Sequence, residues 1–412
     1  MRTMQIGAIG KVKGGKRLPK GEIVQSVPTE YPYLRVTDFT LSGVDGSNVK
    51  YITEAAHSAI RRYTINESDV YISIAGTVGL VGIVPSELSG ANLTENAAKI
   101  TEIHAGVCPR YLMYFLRSPW GQAQIVGKTG GAAQPKLALY RIEEIEFPVS
   151  PLETQRRIAS ILGAYDDLIE VNRRRVALLE GIARGLFEEW FVRFRFPGHE
   201  AVPMVDTPDG PLPEGWQWSC FGDLVAEVRE GVDPSKVEPT TPYLGLEHLP
   251  RRSTTLTEHG LAGDVGSLKL RFQRGDVLFG KIRPYFHKVV WAPDDGVASS
   301  DAIIYRPRDT SSAAMALAVA SSDAFVAMSV QTSNGTKMPR ANPAVLRGFQ
   351  VATDAGKWAD AYQSAAMPII ELCASLAVSN ARLATSRDLL LPRLISGQLS
   401  VTAAERELED VA

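Results

Sequence analysis

The amino-acid sequence predicts an α+β fold in which two mixed α/β domains are each followed by a long helix. Three observations support this prediction: an internal repeat, short β-type segments early in each copy, and a long helical pattern late in each copy. The chain has 412 residues, 45% hydrophobic and 22% charged, a composition typical of a folded protein with two or three domains. We therefore expect the order domain, helix, domain, helix along the chain.

The internal repeat consists of short matches that occur in the same order in both halves of the chain. They pair residues 31–34 with 241–244, residues 67–72 with 274–279, and residues 129–136 with 333–340. A common vocabulary of turn residues would produce similar matches without this order and nearly constant offset. The order therefore indicates a duplicated unit.

The first part of each copy has the pattern of short strands. Residues 69–74 and 79–84 are rich in branched and aromatic side chains and are bounded by glycine or proline. Residues 276–279 and 288–291 repeat this pattern. Short helices are expected to follow, at residues 110–117 and 313–320.

The second part of the first copy is predicted to form a long helix. From Ile158 to Trp190, apolar positions recur at steps of three and four, the pattern of a coiled-coil seam. This predicted seam includes Leu168 and Asn172, and two successive steps of four around Asn172 predict a stutter that locally unwinds the supercoil.

The second copy ends in a similar helical pattern, from Tyr362 to Leu383. Asn380 occupies the seam position equivalent to Asn172. Pro368 is expected to kink this helix or to lie in its first turn, because proline disrupts the interior of a helix.

These patterns define the predicted segments and their boundaries. They are residues 1–150 for the first domain, 151–195 for a central helix, 196–214 for a linker rich in proline and glycine, 215–355 for the second domain, 356–400 for a distal helix, and 401–412 for an acidic tail that we expect to fray.

Charge and cysteine content limit the possible functions. The net charge of −2 argues weakly against a nonspecific nucleic-acid coat but allows local basic patches. Three widely separated cysteines with no CxxC pair argue against a disulfide framework or a cysteine-rich zinc site. The sequence suggests no apolar run of about 20 residues for a membrane and no signal peptide, so we expect a cytoplasmic protein.

Motifs for catalysis are not recognisable. Residues 275–282 nearly spell a phosphate-binding loop, but Ile282 replaces the hydroxyl that should hold magnesium, and Arg283-Pro284 blocks the expected helix. The six histidines are scattered. We find neither a convincing nuclease-type carboxylate pair nor a methyltransferase-type motif. We therefore expect no catalytic residue, no metal site and no bound cofactor.

Basic, amide and aromatic side chains cluster in the loops instead. Arg and Lys bind phosphates, while Arg, Asn and Gln can hydrogen-bond base edges in two places at once. The candidate DNA-binding residues of the second copy are Lys281, Arg283, Tyr285, His287, Lys288, Asn334, Lys337 and Arg340. Those of the first copy are fewer, namely Lys128, Thr129, Gln134 and Lys136. The alternative for each residue is an ordinary solvated loop side chain.

Three segments resemble the specificity subunits of type I restriction-modification enzymes, a family built from two target-recognition domains and two helices. Residues 151–169 (Pro-Leu-Glu-Thr-Gln-Arg-Arg-Ile-Ala and onward) resemble its central helix. Residues 275–285 are similar to its second-domain strand and loop, and residues 390–399 to the end of its distal helix. The chain departs from the family where Ala75 and Leu80 replace residues that are often basic.

The resemblance implies that each domain reads one half of a split site in double-stranded DNA. The two helices would form an antiparallel coiled coil with pseudo-two-fold symmetry and would hold the two domains at a fixed separation. Two modification (methyltransferase) subunits would bind along the helices and methylate DNA with S-adenosylmethionine. Restriction subunits would add ATP-driven translocation and cleavage. The chain itself would be non-catalytic and would bind neither cofactor.

Two further expectations concern the helices. Asn172 and Asn380 should lie close together near the pseudo-two-fold axis and fix the helix register, because a polar residue in an apolar seam has this effect. Phe187 and Phe191 are expected to be exposed and to suit partner helices.

Two other function classes remain open at this point. The first is a duplicated protein-interaction scaffold, which the near-neutral charge favours slightly and which salt-sensitive retention on DNA would exclude. The second is a free-standing enzyme, which the missing site chemistry disfavours and which turnover by the purified chain would support.

Overall fold

The structure is a computed structural model that describes residues 3–40, 43–46, 49–131, 135–335, 337–354 and 356–409. The chain divides into two compact units. Unit 1 comprises Met1–Leu168 with Leu383–Ala412, and unit 2 comprises Ile169–Arg382. Each unit contains sheets and helices, and the α+β class predicted from the sequence is confirmed.

The first copy of the repeat forms short strands and helices. Its strands are β1 Thr3–Gln5, β2 Lys11–Gly14, β3 Pro32–Leu34, β4 Phe39–Thr40, β5 Gly43–Val44, β6 Lys50–Tyr51, β7 Thr64–Ile65, β8 Val70–Ser73, β9 Val81–Gly82, β10 Ala91–Leu93, β11 Ala97–Thr101 and β12 Glu146–Pro148. Its helices are α1 Ile6–Ile9, α2 Glu54–Ile60, α3 Pro109–Arg117, α4 Pro119–Lys128 and α5 Leu139–Glu143, followed by the long α6 Leu152–Phe187.

Two four-stranded sheets build the first domain. One has the order β2-β11-β8-β9 and is antiparallel. The other has the order β6-β3-β10-β7, with β3 and β10 parallel. Every residue of β8 and β11 is buried. The one charged side chain among them, Lys99, pairs with buried Asp69 at 2.7 Å. The helix α3 packs its aromatic face into the core of this unit.

The second copy forms the corresponding elements. Its strands are β13 Met204–Val205, β14 Leu212–Pro213, β15 Gln217–Cys220, β16 Val225–Val228, β17 Gly231–Val232, β18 Pro242–Leu244, β19 Gly260–Leu261, β20 Lys269–Phe272, β21 Val277–Gly280, β22 Val289–Trp291, β23 Gly296–Ala298, β24 Ala302–Pro307 and β25 Gln350–Thr353. Its helices are α7 Phe221–Leu224, α8 Ala313–Ala320, α9 Asp323–Gln331 and α10 Pro343–Arg347, followed by α11 Lys357–Ser396 and α12 Val401–Glu409.

The sheets of the second domain repeat the topology of the first. The order β16-β24-β21-β22 corresponds to β2-β11-β8-β9. The order β17-β20-β23-β18-β19 again contains one parallel pair, β18 with β23, at the place of β3 with β10. The terminal pair β15-β25 likewise corresponds to β1-β12. The duplication inferred from short sequence matches is therefore present in these three sheets of each copy, with β17 as an additional edge strand in the second.

A buried glutamine fixes the start of α6 against the first domain. The Gln155 side chain accepts a hydrogen bond from Cys108 N at 2.9 Å and donates to Ser150 O at 2.8 Å. In the second copy, Gln363 accepts from Ala314 N at 2.8 Å in the same way. Each long helix is thus joined to its own domain by an equivalent glutamine.

Within each unit, the segments of the two long helices run antiparallel. In unit 2, Tyr362 Oη donates to Ala183 O at 3.1 Å, and Asn172 Nδ2 donates to Asn380 Oδ1 at 2.9 Å. Later residues of α6 therefore contact earlier residues of α11. In unit 1, Asp166 accepts a hydrogen bond from the guanidinium of Arg387, and Arg157, nearer the start of α6, donates to Thr402, beyond the end of α11, at 3.2 Å.

The predicted seam of α6 is wrong at Leu168. That side chain is 45% exposed, whereas Ile169 is only 4% exposed. The next positions that are buried or half-buried are Asn172 and Val176. The spacing is therefore three residues from Ile169 to Asn172 and four from Asn172 to Val176, so the predicted stutter at Asn172 is absent. Pro368 lies well inside α11, which begins at Lys357, and so it does not occupy the first turn.

One other expectation about the helices is corrected. Phe187 and Phe191 are buried and pack against Tyr362 in the core of unit 2, so they are unavailable to partner helices. Residues 401–409 of the predicted tail form α12, where Glu405 accepts from Arg157 Nε at 3.0 Å, and the fraying of the tail stays a prediction.

The helix α11 is unusually apolar for its exposure. By length and composition alone it could cross a membrane, contrary to the expectation from the sequence, although only 22% of its most apolar window is buried. The bent pair Thr310–Ala320 and Asp323–Gln331 would be a second such span if counted as one. An apolar but exposed helix surface can equally be covered by another protein.

Candidate nucleic-acid interface

The two basic segments predicted in the second copy lie side by side. One is the loop between β21 and β22, and Arg283 N in this loop donates to Pro339 O at 2.8 Å. We name residues 281–288 together with residues 333–335 and 337–341 the second loop pair. Because backbone hydrogen bonds join its segments, their side chains belong to one surface.

The backbone of this region is strained. Arg283 has φ +51°, His287 has φ +52° and neighbouring Arg252 has φ +57°. They are three of the five non-glycine residues with positive φ in the described part of the chain. Arg252 N donates to His287 O at 2.9 Å, which joins two of them. Such conformations cost roughly 1–3 kcal/mol each and cluster at functional sites.

Three of the exposed side chains of the second loop pair are cationic. Arg283, Lys337 and Arg340 are exposed, and Lys281 is half-buried. Within the residues that the structure describes, none of these four forms an ion pair, whereas exposed arginines elsewhere do, such as Arg271 with Glu230 at 3.2 Å. These cations are therefore available to an external anion. Asn334 is also exposed.

Aromatic rings lie beside these cations. Tyr285 is 52% exposed and meets Phe286 edge to face, with ring centroids 4.8 Å apart. The Arg251 guanidinium carbon lies 4.0 Å from the Phe286 ring centroid, a cation–π contact. Sequence analysis missed Arg251 because it lies thirty residues or more from the loop along the chain. The adjacent Arg251-Arg252 pair was the available signal.

Two predicted DNA contacts of the second copy have internal roles. His287 is 7% exposed, and its Nε2 donates to Ser321 O at 2.8 Å. Burial lowers the pKa of His287, which favours the neutral ring. Lys288 Nζ donates to Leu246 O, and burial lowers its pKa as well. Both side chains therefore have hydrogen-bond partners inside the domain, and a role of either in DNA binding stays a prediction.

The first copy contains an equivalent backbone arrangement. Leu137 N donates to Ile74 O at 3.0 Å. Gly76 and Gly79 have φ +77° and +93°, at the positions that Arg283 and His287 occupy in the second copy. We name residues 74–80 together with residues 129–131 and 135–137 the first loop pair. The left-handed positions recur, but only the second copy places side chains there.

The first loop pair offers fewer free polar groups. Lys136 is exposed. Lys128 Nζ lies 3.4 Å from Glu144, and Thr129 Oγ1 donates to Ile125 O at 2.7 Å, so both side chains have partners inside the domain. Gln134 lies outside the described residues.

The two seam asparagines contact each other. Besides the hydrogen bond of 2.9 Å between them, Asn380 Nδ2 lies 3.4 Å from Ile169 O. Asn172 is only 3% exposed. The close approach expected from the sequence is present, and the role of the pair in fixing helix register stays a prediction.

A metal-binding cluster is not found in the described ranges: no group of three or more His, Cys, Asp or Glu side chains is suitably placed there. The chemistry that the described side chains offer is hydrogen bonding and charge. This is the chemistry needed to bind a polyanion.

Comparison with known proteins finds similarity to one family. The family model described as "Type I restriction modification DNA specificity domain" matches residues 1–180. The chain is similar over that segment, which is less than half of its length, to type I restriction-modification specificity subunits. This agrees with the resemblance seen in the sequence.

Curated relatives include two specificity subunits from Methanocaldococcus jannaschii. The type I restriction enzyme MjaIX specificity subunit is 27% identical over 255 residues, which cover 60% of this chain and 57% of the relative. The MjaVIII specificity subunit is 26% identical over 237 residues, covering 56% of this chain and 49% of the relative. The chain thus spans about half the length of the curated relatives that it matches.

A solved structure supports the fold. The S subunit of a type I restriction-modification system from M. genitalium superposes with a TM-score of 0.53 at 13% identity, over 95% of each chain. The predicted fold of mixed α/β domains with long helices and an internal repeat is therefore confirmed.

Proposed function

We propose that this chain is the sequence-specific DNA-recognition subunit of a type I restriction-modification complex. Each domain would read one half of a bipartite site, and the chain would be non-catalytic and without a cofactor of its own. The observation that supports this most directly is the second loop pair, where Arg283 is held in a left-handed conformation beside unpaired exposed cations.

The composition of the loop pair fits duplex DNA better than a protein partner. Exposed Lys337 and Arg340 can neutralise phosphates, which provides the sequence-independent part of binding. Arg283 has the planar fork that hydrogen-bonds a guanine edge in two places. A fixed backbone limits the orientations of this fork, and such preorganisation favours discrimination between bases.

We further propose that the long helices dock two methyltransferase subunits, with restriction subunits joining the assembly. Val171, Leu178 and Ile182 on α6 are exposed and are seven and four residues apart, so they share one helix face. On α11, Leu372 and Val378 are also exposed. These side chains replace Phe187 and Phe191 as the expected contacts. The host DNA that such a complex protects is cytoplasmic, and we expect the chain there.

The test is DNA binding by the chain together with its modification subunit. Methylation mapping of host DNA with and without the gene would first identify the motif. Arg283→Ala or Lys337→Ala should then weaken binding by about 1–3 kcal/mol at one base pair if the side chain reads a base. A phosphate contact would instead weaken all sequences alike and reduce the salt slope by about 1.

The matched control is Arg271→Ala, which removes a paired surface arginine outside the loop pair and should leave binding unchanged. Unchanged binding by the Arg283→Ala, Lys337→Ala double variant would contradict the loop assignment. Salt-independent retention without any preferred motif would favour the protein-interaction scaffold instead.

A further inference from the structure

One carboxylate oxygen of Glu180, on the long helix α6, accepts hydrogen bonds from three successive residues of the second domain. Glu180 Oε1 accepts from Ser253 Oγ at 2.8 Å, from Thr254 N at 2.8 Å and Oγ1 at 3.1 Å, and from Thr255 N at 2.9 Å and Oγ1 at 2.7 Å. Glu180 is half-buried and Thr255 is buried. A charged acceptor makes stronger hydrogen bonds than a neutral one, so this array fixes residues 253–255 to the helix.

The same segment continues directly into the second loop pair. Arg252, the residue before Ser253, has the strained φ of +57° and donates from its N to His287 O at 2.9 Å. Thr254 O accepts from Trp291 N, at the end of β22, at 3.0 Å. Residues 252–254 therefore contact the recognition loop at its last turn and the strand that follows it.

The hydrogen bonds to Glu180 also restrain Arg251, which contacts the aromatic ring of Phe286 in the loop. Arg251, which lies over the Phe286 ring at 4.0 Å, immediately precedes the fixed segment. Its backbone position depends on Arg252 and hence on residues 253–255. The path from Glu180 to the loop thus consists of consecutive backbone and hydrogen bonds and involves no long flexible side chain after the carboxylate.

We propose that Glu180 is a positioning residue that holds the second loop pair in register with α6 and so determines discrimination at the second half-site. This inference rests on the proposed function of DNA recognition. Glu180 need not touch DNA, because it acts through residues 252–255 on the loop that does. A recognition side chain requires sub-ångström placement, which a fixed link to a rigid helix provides.

The experiment uses the complex with the modification subunit and compares Glu180→Ala with wild type. The second half-site is defined as the one that changes when residues 215–355 are exchanged. We expect discrimination against single mismatches in that half-site to fall by at least about fivefold, the lower end of what one base contact contributes. Discrimination in the first half-site should stay within about twofold, and Glu180→Gln should restore part of the loss because its amide oxygen still accepts.

Glu170→Ala is the matched control, since it removes an exposed glutamate of the same helix that pairs only with Arg174 four residues away. If Glu180→Ala does not fold, the double variant Ser253→Ala, Thr255→Val is used instead, because it removes two of the hydroxyl groups that donate to Glu180. It should show the same loss of discrimination in the second half-site alone. Equal losses in both half-sites, or none in either, would overturn the inference. A wild-type complex without any half-site discrimination would instead overturn the proposed function.

Discussion

The hydrogen bond between Asn172 and Asn380 gives a prediction that separates stability from register. Asn380→Ala removes the acceptor from Asn172, which is 3% exposed and so cannot use solvent instead. Leaving a buried donor without a partner costs about 1–3 kcal/mol. The same change removes the Asn380 contact of 3.4 Å to Ile169 O. We therefore expect Asn380→Ala to lower the free energy of unfolding by at least about 1 kcal/mol.

Replacing both asparagines with leucine should leave the free energy of unfolding nearly unchanged or higher, but should weaken the control of helix register. Removing both polar partners together leaves no unsatisfied group, and such exchanges are nearly neutral or stabilising. The register, however, would lose its polar determinant. A slip of one helical turn is about 5.4 Å. This corresponds to one or two base pairs at about 3.4 Å each.

Two assays check this reasoning. Denaturant unfolding of the single and double alanine variants gives a coupling free energy, which we expect to be about 0.5–3 kcal/mol. Methylation mapping with the double leucine variant should show the same two half-sites with more than one gap length. Ser386→Ala, an exposed substitution on α11, is the control for both assays. Zero coupling would refute the pair as a stabilising contact, and a single unchanged gap in the leucine variant would refute its role in register.

Three further predictions concern the domains, the spacer and the buried histidine. Exchange of residues 215–355 for those of another family member should change only one half of the methylated motif, and a simultaneous change in both halves would contradict independent recognition. Insertion of four residues after Asn172 lengthens the helix by about 6 Å, so methylation mapping should show the same half-sites with a longer gap; an unchanged gap would argue against a helical ruler. His287 has a lowered pKa in the folded protein because of burial, with Arg252 and Arg184 adding to the effect and Ser321 O and Asp323 opposing it. As the pH falls, His287 is therefore protonated in the unfolded chain before it is protonated in the folded protein, so the stability of the folded protein should fall below about pH 6.5. The variant His287→Asn should lose less stability between pH 7.5 and 5.5, as measured by thermal unfolding. Identical pH profiles for the two proteins would show that His287 does not contribute.

The sequence was sufficient for the elements that depend on local pattern. Short apolar strands such as β8 and β21 were predicted because branched and aromatic residues form continuous buried runs there. The order of the repeated matches predicted the duplicated topology. The contact between Asn172 and Asn380 also followed from pattern, because equivalent residues of duplicated antiparallel helices approach each other.

Errors arose where tertiary contacts choose between neighbouring positions. Leu168 and Ile169 are both apolar and adjacent, and the spacing rule cannot tell which one is buried. Phe187 lies beside the predicted seam, yet Tyr362 of the other long helix, α11, covers it. Charged residues present the same difficulty, because a basic residue in a loop is equally compatible with an exposed cation, such as Lys337, and an internal donor, such as Lys288.

Under the proposed function, the two loop pairs are the means by which one duplicated framework serves two different half-sites. Both need left-handed backbone at the same two positions, and glycine satisfies this need without a side chain at Gly76 and Gly79. In the second copy Arg283 and His287 occupy these positions, where the strain must be offset by other contacts. The bond from His287 to Ser321 O and the array at Glu180 are contacts of this kind. Under the proposed function, the framework fixes where a loop meets DNA, while the residues tolerated at the strained positions decide which bases it distinguishes.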